Sequence, residues 1–374
     1  MRLQTLEVIN FRNIEYAKLT EFDAAMNVIC GNNAQGKTNL IEAIYFACTG
    51  KGFRTRDDTL LVHRGSERAY VTAGLVTGNP EGAVGVRSQT VTVSVGAESK
   101  KRIELNGSKL KTMGSLPFRV VLFTPEDLDL SKGGAATRRH WLDQVISQLR
   151  PKYAETLTEY RKLYDNKLKL LREYRPSSRS TLEAYNVSLA KAGAILIHYR
   201  AMFCEKLAPF AAESHRIITT SNEKLHVTYK TVAGIGNASK MKPSEICVKL
   251  LEHQNTKVTA EINSGSCISG AHKDDILLDI DGMESDYWSQ GQARTVTLSL
   301  KFAEREFIRE DCNEYPIMLF DDVLSELDFL RRHIVLKRAG AGQTFVTMTD
   351  IAEFHRNKIK GMAIPMRGGS AALV

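Results

Sequence analysis

Residues 31–38 read Gly-Asn-Asn-Ala-Gln-Gly-Lys-Thr, and no other octet in the chain restricts its fold so tightly. The spacing G-x-x-x-x-G-K-T demands a loop whose backbone N–H groups curl into an anion nest at the start of a helix. The flanking residues predict that context. Met26 to Cys30 reads as a short buried strand, and Asn39 to Thr49 carries Leu40, Ile41, Ile44, Tyr45 and Cys48 at helical spacing. Gly31 and Gly36 allow the tight path, while Asn32, Asn33, Ala34, Gln35 and Asn39 line it. Lys37 is placed to reach the β- and γ-phosphates, and the Thr38 hydroxyl to ligate Mg²⁺. A glycine turn with a chance Lys-Thr after it would not need strand and helix on either side, so the octet predicts a nucleoside triphosphate site.

A second motif lies far downstream, where Ile317-Met318-Leu319-Phe320 runs into Asp321-Asp322. An apolar strand ending in acid sets a carboxylate at the carboxyl edge of a sheet, beside the phosphates. Asp321 is then the metal-side acid, and Asp322 the carboxylate that orients or deprotonates the attacking water. Before it, Ser289-Gln290-Gly291-Gln292-Ala293-Arg294 opens an amphipathic helix carrying Val296, Leu298, Leu300, Phe302, Ala303 and Phe307. Taken alone the hexapeptide is a helix cap. In this order, with Ser325-Glu326-Leu327-Asp328 following the aspartates, Ser289, Gly291 and Gln292 match the signature segment of ATP-binding cassette ATPases, which closes over ATP held by a second protomer.

The long interval between Lys37 and Ser289 predicts an inserted domain. Tyr153, Leu157, Tyr160, Tyr164, Leu168, Leu171 and Tyr174 recur by threes and fours, then Arg175-Pro176-Ser177-Ser178-Arg179-Ser180 breaks the pattern. It resumes from Leu182 to Leu207. The pair predicts an antiparallel helical hairpin of about 35 Å, at about 1.5 Å per residue. Ala69–Thr77, Thr90–Val95, Arg102–Leu105 and Arg119–Phe123 read as strands, with Asn106-Gly107 a hairpin turn. Leu277–Ile280, Ile317–Phe320 and Thr344–Met348 are expected to add sheet on the C-terminal side. The expected fold is therefore α/β, a nucleotide-binding head from residues 1–145 and 265–374, with residues 146–264 forming an inserted helical lobe.

Among 374 residues, 43% are hydrophobic, enough for a sizeable core, and no apolar run approaches the ~18 residues of a membrane span. The N-terminus lacks an apolar signal core, so a cytoplasmic protein is expected. The six cysteines include no C-x-x-C pair and read as small core residues in a reducing compartment. A net charge of +8 suits a polyanionic partner. Two basic clusters are candidates for DNA phosphates: Lys100, Lys101, Arg102, Lys109 and Lys111 around the Asn106-Gly107 turn, and Arg161, Lys162, Lys167, Lys169, Arg172, Arg175 and Arg179 on the helical arm.

Further motifs join these: Phe11-Arg12-Asn13, Phe53-Arg54-Thr55, Thr124-Pro125-Glu126-Asp127-Leu128, Arg138-Arg139-His140-Trp141-Leu142-Asp143 and Ala271-His272-Lys273-Asp274-Asp275. In order and interval the set closely resembles the RecF family of bacterial DNA replication and repair proteins. The resemblance implies an ABC/SMC-type ATPase head with a small helical second lobe in place of long arms. It implies ATP and Mg²⁺ as cofactors, an ATP-dependent homodimer on duplex DNA and single-strand/duplex junctions, and slow hydrolysis. It also implies work with RecR and RecO to load RecA at single-strand gaps. Thr349 stands where such ATPases keep a switch residue, often His. The rival readings are a transport-type cassette subunit, disfavoured by the long insertion and the incomplete signature, a small-molecule P-loop kinase, and a non-hydrolysing ATP-gated DNA clamp.

Overall fold

The computed structural model describes residues 1–55, 57–78, 85–96, 101–110, 116–219, 223–349 and 360–371. Lys100, Lys111 and Asp350 lie outside these described residues. In chain order the elements begin with β1 (Arg2–Phe11), β2 (Ile14–Leu19), β3 (Met26–Cys30), α1 (Lys37–Thr49), β4 (Arg68–Thr77), β5 (Arg87–Gly96), β6 (Arg102–Leu105), β7 (Ser108–Lys109) and β8 (Val120–Phe123). Then come α2 (Asp129–Lys132), α3 (Ala135–Leu149), α4 (Pro151–Arg172), α5 (Arg179–Thr219), β9 (Leu225–Lys230), α6 (Pro243–Ser264), β10 (Asp275–Ile280) and β11 (Met283–Glu284). The chain closes with α7 (Gln290–Cys312), β12 (Ile317–Phe320), α8 (Phe329–Ala339), β13 (Thr344–Met348), β14 (Met362–Arg367) and β15 (Ser370–Ala371).

Two compact units result, one of Met1–Asp127 with Glu304–Val374 and the other of Leu128–Ala303. The first holds an antiparallel sheet in the order β2-β1-β4-β5-β6-β7 and a second sheet in the order β15-β14-β3-β13-β12-β8. In the second sheet β14, β3, β13, β12 and β8 run parallel, and β15 folds back on β14. All five residues of β3 are buried, as befits a central parallel strand covered on both faces. Its one polar member, Asn27, satisfies itself by accepting from the Asp23 amide (2.8 Å) and donating to the Asp23 carbonyl (2.9 Å).

Helix α1 is apolar nearly all round, with Leu40, Ile41, Ala43, Ile44, Phe46 and Ala47 fully buried, because it shares a core with residues of both sheets. Gly36 starts it and Gly50 ends it in left-handed conformations (φ 99° and 67°). The buried Gln343 amide stitches the sheets together: its Oε1 accepts from the Leu3 amide at 2.6 Å and its Nε2 donates to the Leu3 carbonyl at 2.9 Å, as a neighbouring strand would.

The second unit contains the expected helical pair, α4 and α5, but α5 continues past Leu207 to Thr219. Pro209 forfeits one helical N–H bond. The helix persists because Leu207, Ala211, Ser214, His215 and Ile218 keep one buried face. Three departures from the sequence expectation concern this unit. Its limits are wider than residues 146–264, since α3 and β10 belong to it. Strand β10 joins a small sheet in the order β11-β10-β9 instead of extending the head, because β9 (Leu-His-Val-Thr-Tyr-Lys) offers an antiparallel partner along its whole length. And Lys167 is no surface charge: it is wholly buried, 2.6 Å from the equally buried Glu261 carboxylate, whose other oxygen accepts from the Ile268 amide.

Candidate nucleotide-binding site

The parallel order β3-β13-β12 brings three carboxyl-terminal strand ends side by side, with Thr347 opposite Ile29 and Phe345 opposite Leu319. From the first end springs the phosphate loop. Gly31 (φ 150°) passes so close to β14 that a Cβ there would stand 2.5 Å from the Met366 carbonyl oxygen. Ala34 takes a left-handed φ of 63°, and Gly36 then turns the chain into α1. The Lys37 ammonium folds back over the loop, donating to the carbonyls of Gly31 (2.7 Å) and Asn32 (2.9 Å). Burial pulls its pKa down, against the opposing fields of Asp322 and Asp321.

From the second end come Asp321 and Asp322. The Thr38 hydroxyl donates to Asp321 Oδ1 at 2.9 Å, uniting the two sequence-predicted metal ligands. Burial pushes the Asp321 carboxyl up, only partly relieved by hydrogen bonds from Thr38 and Thr347. A buried carboxylate beside a hydroxyl is a hard-oxygen pair that suits Mg²⁺. Among the described residues no group of three or more His, Cys, Asp or Glu side chains could hold a metal. Mg²⁺ takes one or two protein ligands and completes its shell with phosphate oxygen and water. Asp322 is exposed and holds a left-handed φ of 54°, uncommon for a non-glycine residue.

Two residues absent from the motifs, Thr347 and Glu42, complete the surroundings together with the Phe-Arg-Asn and Phe-Arg-Thr segments. Thr347, on β13 between the other two strands, donates to Asp321 Oδ1 (3.2 Å) and accepts from the Asp322 amide (2.8 Å). Glu42, fully buried on α1, receives Arg12 Nε at 2.9 Å and Arg54 Nη2 at 2.6 Å. Burial alone would raise its pKa, but the two guanidinium groups hold it below the usual carboxylate range. Arg54 also donates to the Asn39 side chain, and Asn39 to Asn13 Oδ1 (2.5 Å), so the Phe-Arg-Asn and Phe-Arg-Thr motifs meet beside the loop.

Ser289 lies in the second unit, exposed at the start of α7. Its hydroxyl accepts from the Gln292 amide (3.1 Å) and its own amide donates to Gln292 Oε1 (3.0 Å), a reciprocal capping box. Ser289 and Gln292 thus have a local structural role, and the helix N-terminus they cap, with Gly291 in its first turn, faces solvent. Of the DNA candidates, Arg102 and Lys109 are exposed, whereas Lys101 is paired with Asp58 and donates to the Gly50 carbonyl at 2.6 Å. Arg138 forms a two-point pair with Asp275 (2.9 and 2.8 Å).

Residues 2–121 match the model of the RecF/RecN/SMC N-terminal domain. Among curated proteins, the chain is 39% identical to the DNA replication and repair protein RecF of Alkaliphilus oremlandii, over 93% of each chain. It is 35% identical to that of Listeria innocua, over 96% of each. Among solved structures it is similar to the recombination mediator protein RecF-ATPrS in the RecFOR pathway, with a TM-score of 0.89, 32% identity and coverage of 100% of this chain and 98% of the other. The corresponding RecF-ATP structure gives a TM-score of 0.86 at 32% identity, covering 100% and 97%. An Smc head domain from Pyrococcus furiosus shares the fold, with a TM-score of 0.55 at 15% identity, covering 100% and 95%.

Proposed function

The chain belongs to the RecF family of DNA replication and repair proteins, and from that membership we propose an ATP-gated DNA-binding protein that dimerises around ATP and hydrolyses it slowly. The observation that carries the reading is the Thr38–Asp321 hydrogen bond, which joins the phosphate loop to the acidic strand end. Lys37 exchanges its two loop carbonyls for phosphate oxygens. Thr38 and Asp321 would hold Mg²⁺, which when bound neutralises charge on the β- and γ-phosphates. Asp322, fixed by Thr347, orients the attacking water and takes its proton. Ser289 and Gly291 present a helix N-terminus to the γ-phosphate of a second protomer, so that ATP joins the two. By the same reasoning the dimer acts on duplex DNA and single-strand/duplex junctions, with RecR and RecO, to place RecA at gaps.

Calorimetry and phosphate release with gapped duplex DNA test this reading. Lys37→Met should lose ATP affinity altogether, and Asp322→Asn should keep ATP while turnover stops. Unchanged affinity in the first variant would sink the site assignment; normal turnover in the second would move the base elsewhere.

A further inference from the structure

The hairpin of β14 and β15 is absent from every nucleotide motif in the sequence, yet it touches the phosphate loop along its length. Strand β14 runs parallel beside β3, pairing Pro365 with Cys30, so Met366 arrives next to Gly31 where the loop begins. Met366 is 1% exposed, and a Cβ on Gly36 would lie 3.3 Å from its Cε, so it sits under both loop glycines. Arg367 pairs with Ser370, leaving Gly368-Gly369 as a two-residue turn with φ of 55° and 81°, the geometry that glycine pairs favour. That turn donates twice to one residue of the loop. The Gly368 amide reaches Gln35 Oε1 at 2.5 Å, and the Gly369 amide reaches the Gln35 carbonyl at 3.1 Å. On its far side Gly369 abuts the loop after β1, where an added Cβ would be 2.2 Å from the Asn13 carbonyl oxygen.

We infer that Gln35 and the Gly368-Gly369 turn are positioning elements for the nucleotide, holding the phosphate loop in its anion-binding shape before ATP arrives. Gln35 immediately precedes Gly36, so restraining it restrains the amides of the nest. A loop already ordered does not lose that freedom on binding. The inference rests on the proposed ATP site. It assigns the hairpin to affinity and not to the chemical step, since Asp321 and Asp322 follow β12 and Thr347 lies on β13.

The test compares wild type, Gly369→Ala and Gln35→Met in the full-length protein. A methyl at 369 must displace the turn from Asn13, and methionine keeps the length of Gln35 without its acceptor. ATP affinity should fall by about tenfold in Gly369→Ala and by about threefold in Gln35→Met, as higher KM with kcat within about twofold. Hydrogen exchange of residues 31–36 without nucleotide should quicken in both. Unaltered ATP affinity together with unaltered loop exchange in Gln35→Met overturns the inference, as does a loss confined to kcat. Should Gly369→Ala fail to fold, Gln35→Met decides alone. Absence of ATP binding by the wild-type protein would instead strike at the proposed function, and the exchange data would still report on the turn.

Discussion

The Thr347 hydroxyl accepts a hydrogen bond from the backbone amide of Asp322 at 2.8 Å and spends its own proton on Asp321 Oδ1 at 3.2 Å. One side chain thereby fixes the Asp321 carboxylate, proposed to face the metal, and the left-handed backbone that carries Asp322, the proposed catalytic carboxylate. Asp tolerates a left-handed φ of 54° better than most residues, and the hydrogen bond from its amide to Thr347 holds it there.

Replacing Thr347 by Val keeps the shape and removes both bonds. Asp322 should then relax, so kcat should fall by about tenfold while ATP affinity changes little, because Lys37 and the loop amides are untouched. Steady-state phosphate release beside calorimetry reads the two separately. A rise in KM at constant kcat would mean that Thr347 serves binding only.

Ser289 is both a helix cap and the proposed contact to a neighbouring ATP, and one substitution separates the roles. Asp caps helices as well as Ser does, so Ser289→Asp should leave the melting temperature unchanged. Its negative charge, however, would face the γ-phosphate of the other protomer. The ATP-dependent dimer should disappear in sedimentation while each monomer still binds ATP; a normal dimer would refute the composite site.

His272 gives a pH signature to the second unit. Its Nδ1 shares a hydrogen bond with the Tyr160 hydroxyl at 2.8 Å, and its Nε2 donates to the Cys267 carbonyl at 3.2 Å. Burial lowers its pKa to about 4; the Cys267 carbonyl opposes this, while Lys273, Lys167 and Arg139 add to it. The unfolded chain, with an ordinary histidine value near 6.5, binds a proton first. Stability is therefore whole above about pH 6.5 and declines as pH falls toward about 4, at up to about 1.4 kcal/mol per unit for this group. Urea unfolding of His272→Gln across that window should show a flatter profile than wild type, and an identical slope would remove His272 as the cause.

What was legible in the sequence was local. β3, the loop and α1 follow from glycine positions and apolar spacing within 24 consecutive residues, and β12 with its two aspartates from six more. The missing parts are tertiary. Thr347 is one of several threonines until β13 is seated between β3 and β12. Gln35 is an unspecified position of its motif until a turn more than 300 residues later donates to it. Lys167 falls on the apolar face of α4, three residues after Tyr164 and four before Leu171, so its burial follows from the spacing, but its counter-charge, Glu261 on α6, is seen only in the fold. The strand at Leu277 falls in the second unit, against expectation, for the same reason: alternation announces a strand but not its partner.

The basic cluster at the β6–β7 hairpin divides once ion pairs are known. Lys101 is engaged by Asp58, so reversing it should chiefly destabilise that corner by setting two carboxylates against each other. Arg102 and Lys109 are exposed, Arg102 across from Ser94 on β5 and Lys109 across from Glu104, which offsets only one of the two charges. They are the better candidates for binding phosphate. Such binding carries no sequence information, so Arg102→Glu with Lys109→Glu should weaken duplex binding equally for all sequences. If both side chains neutralise phosphates, the slope of log K against log salt should flatten by about 1.8, at about 0.9 for each phosphate charge left unneutralised. ATP affinity should hold, because neither residue lies near Lys37 in the chain or among its bonding partners. Binding curves at several salt concentrations decide the matter: an unchanged slope and affinity in the double variant would remove this hairpin from the DNA surface.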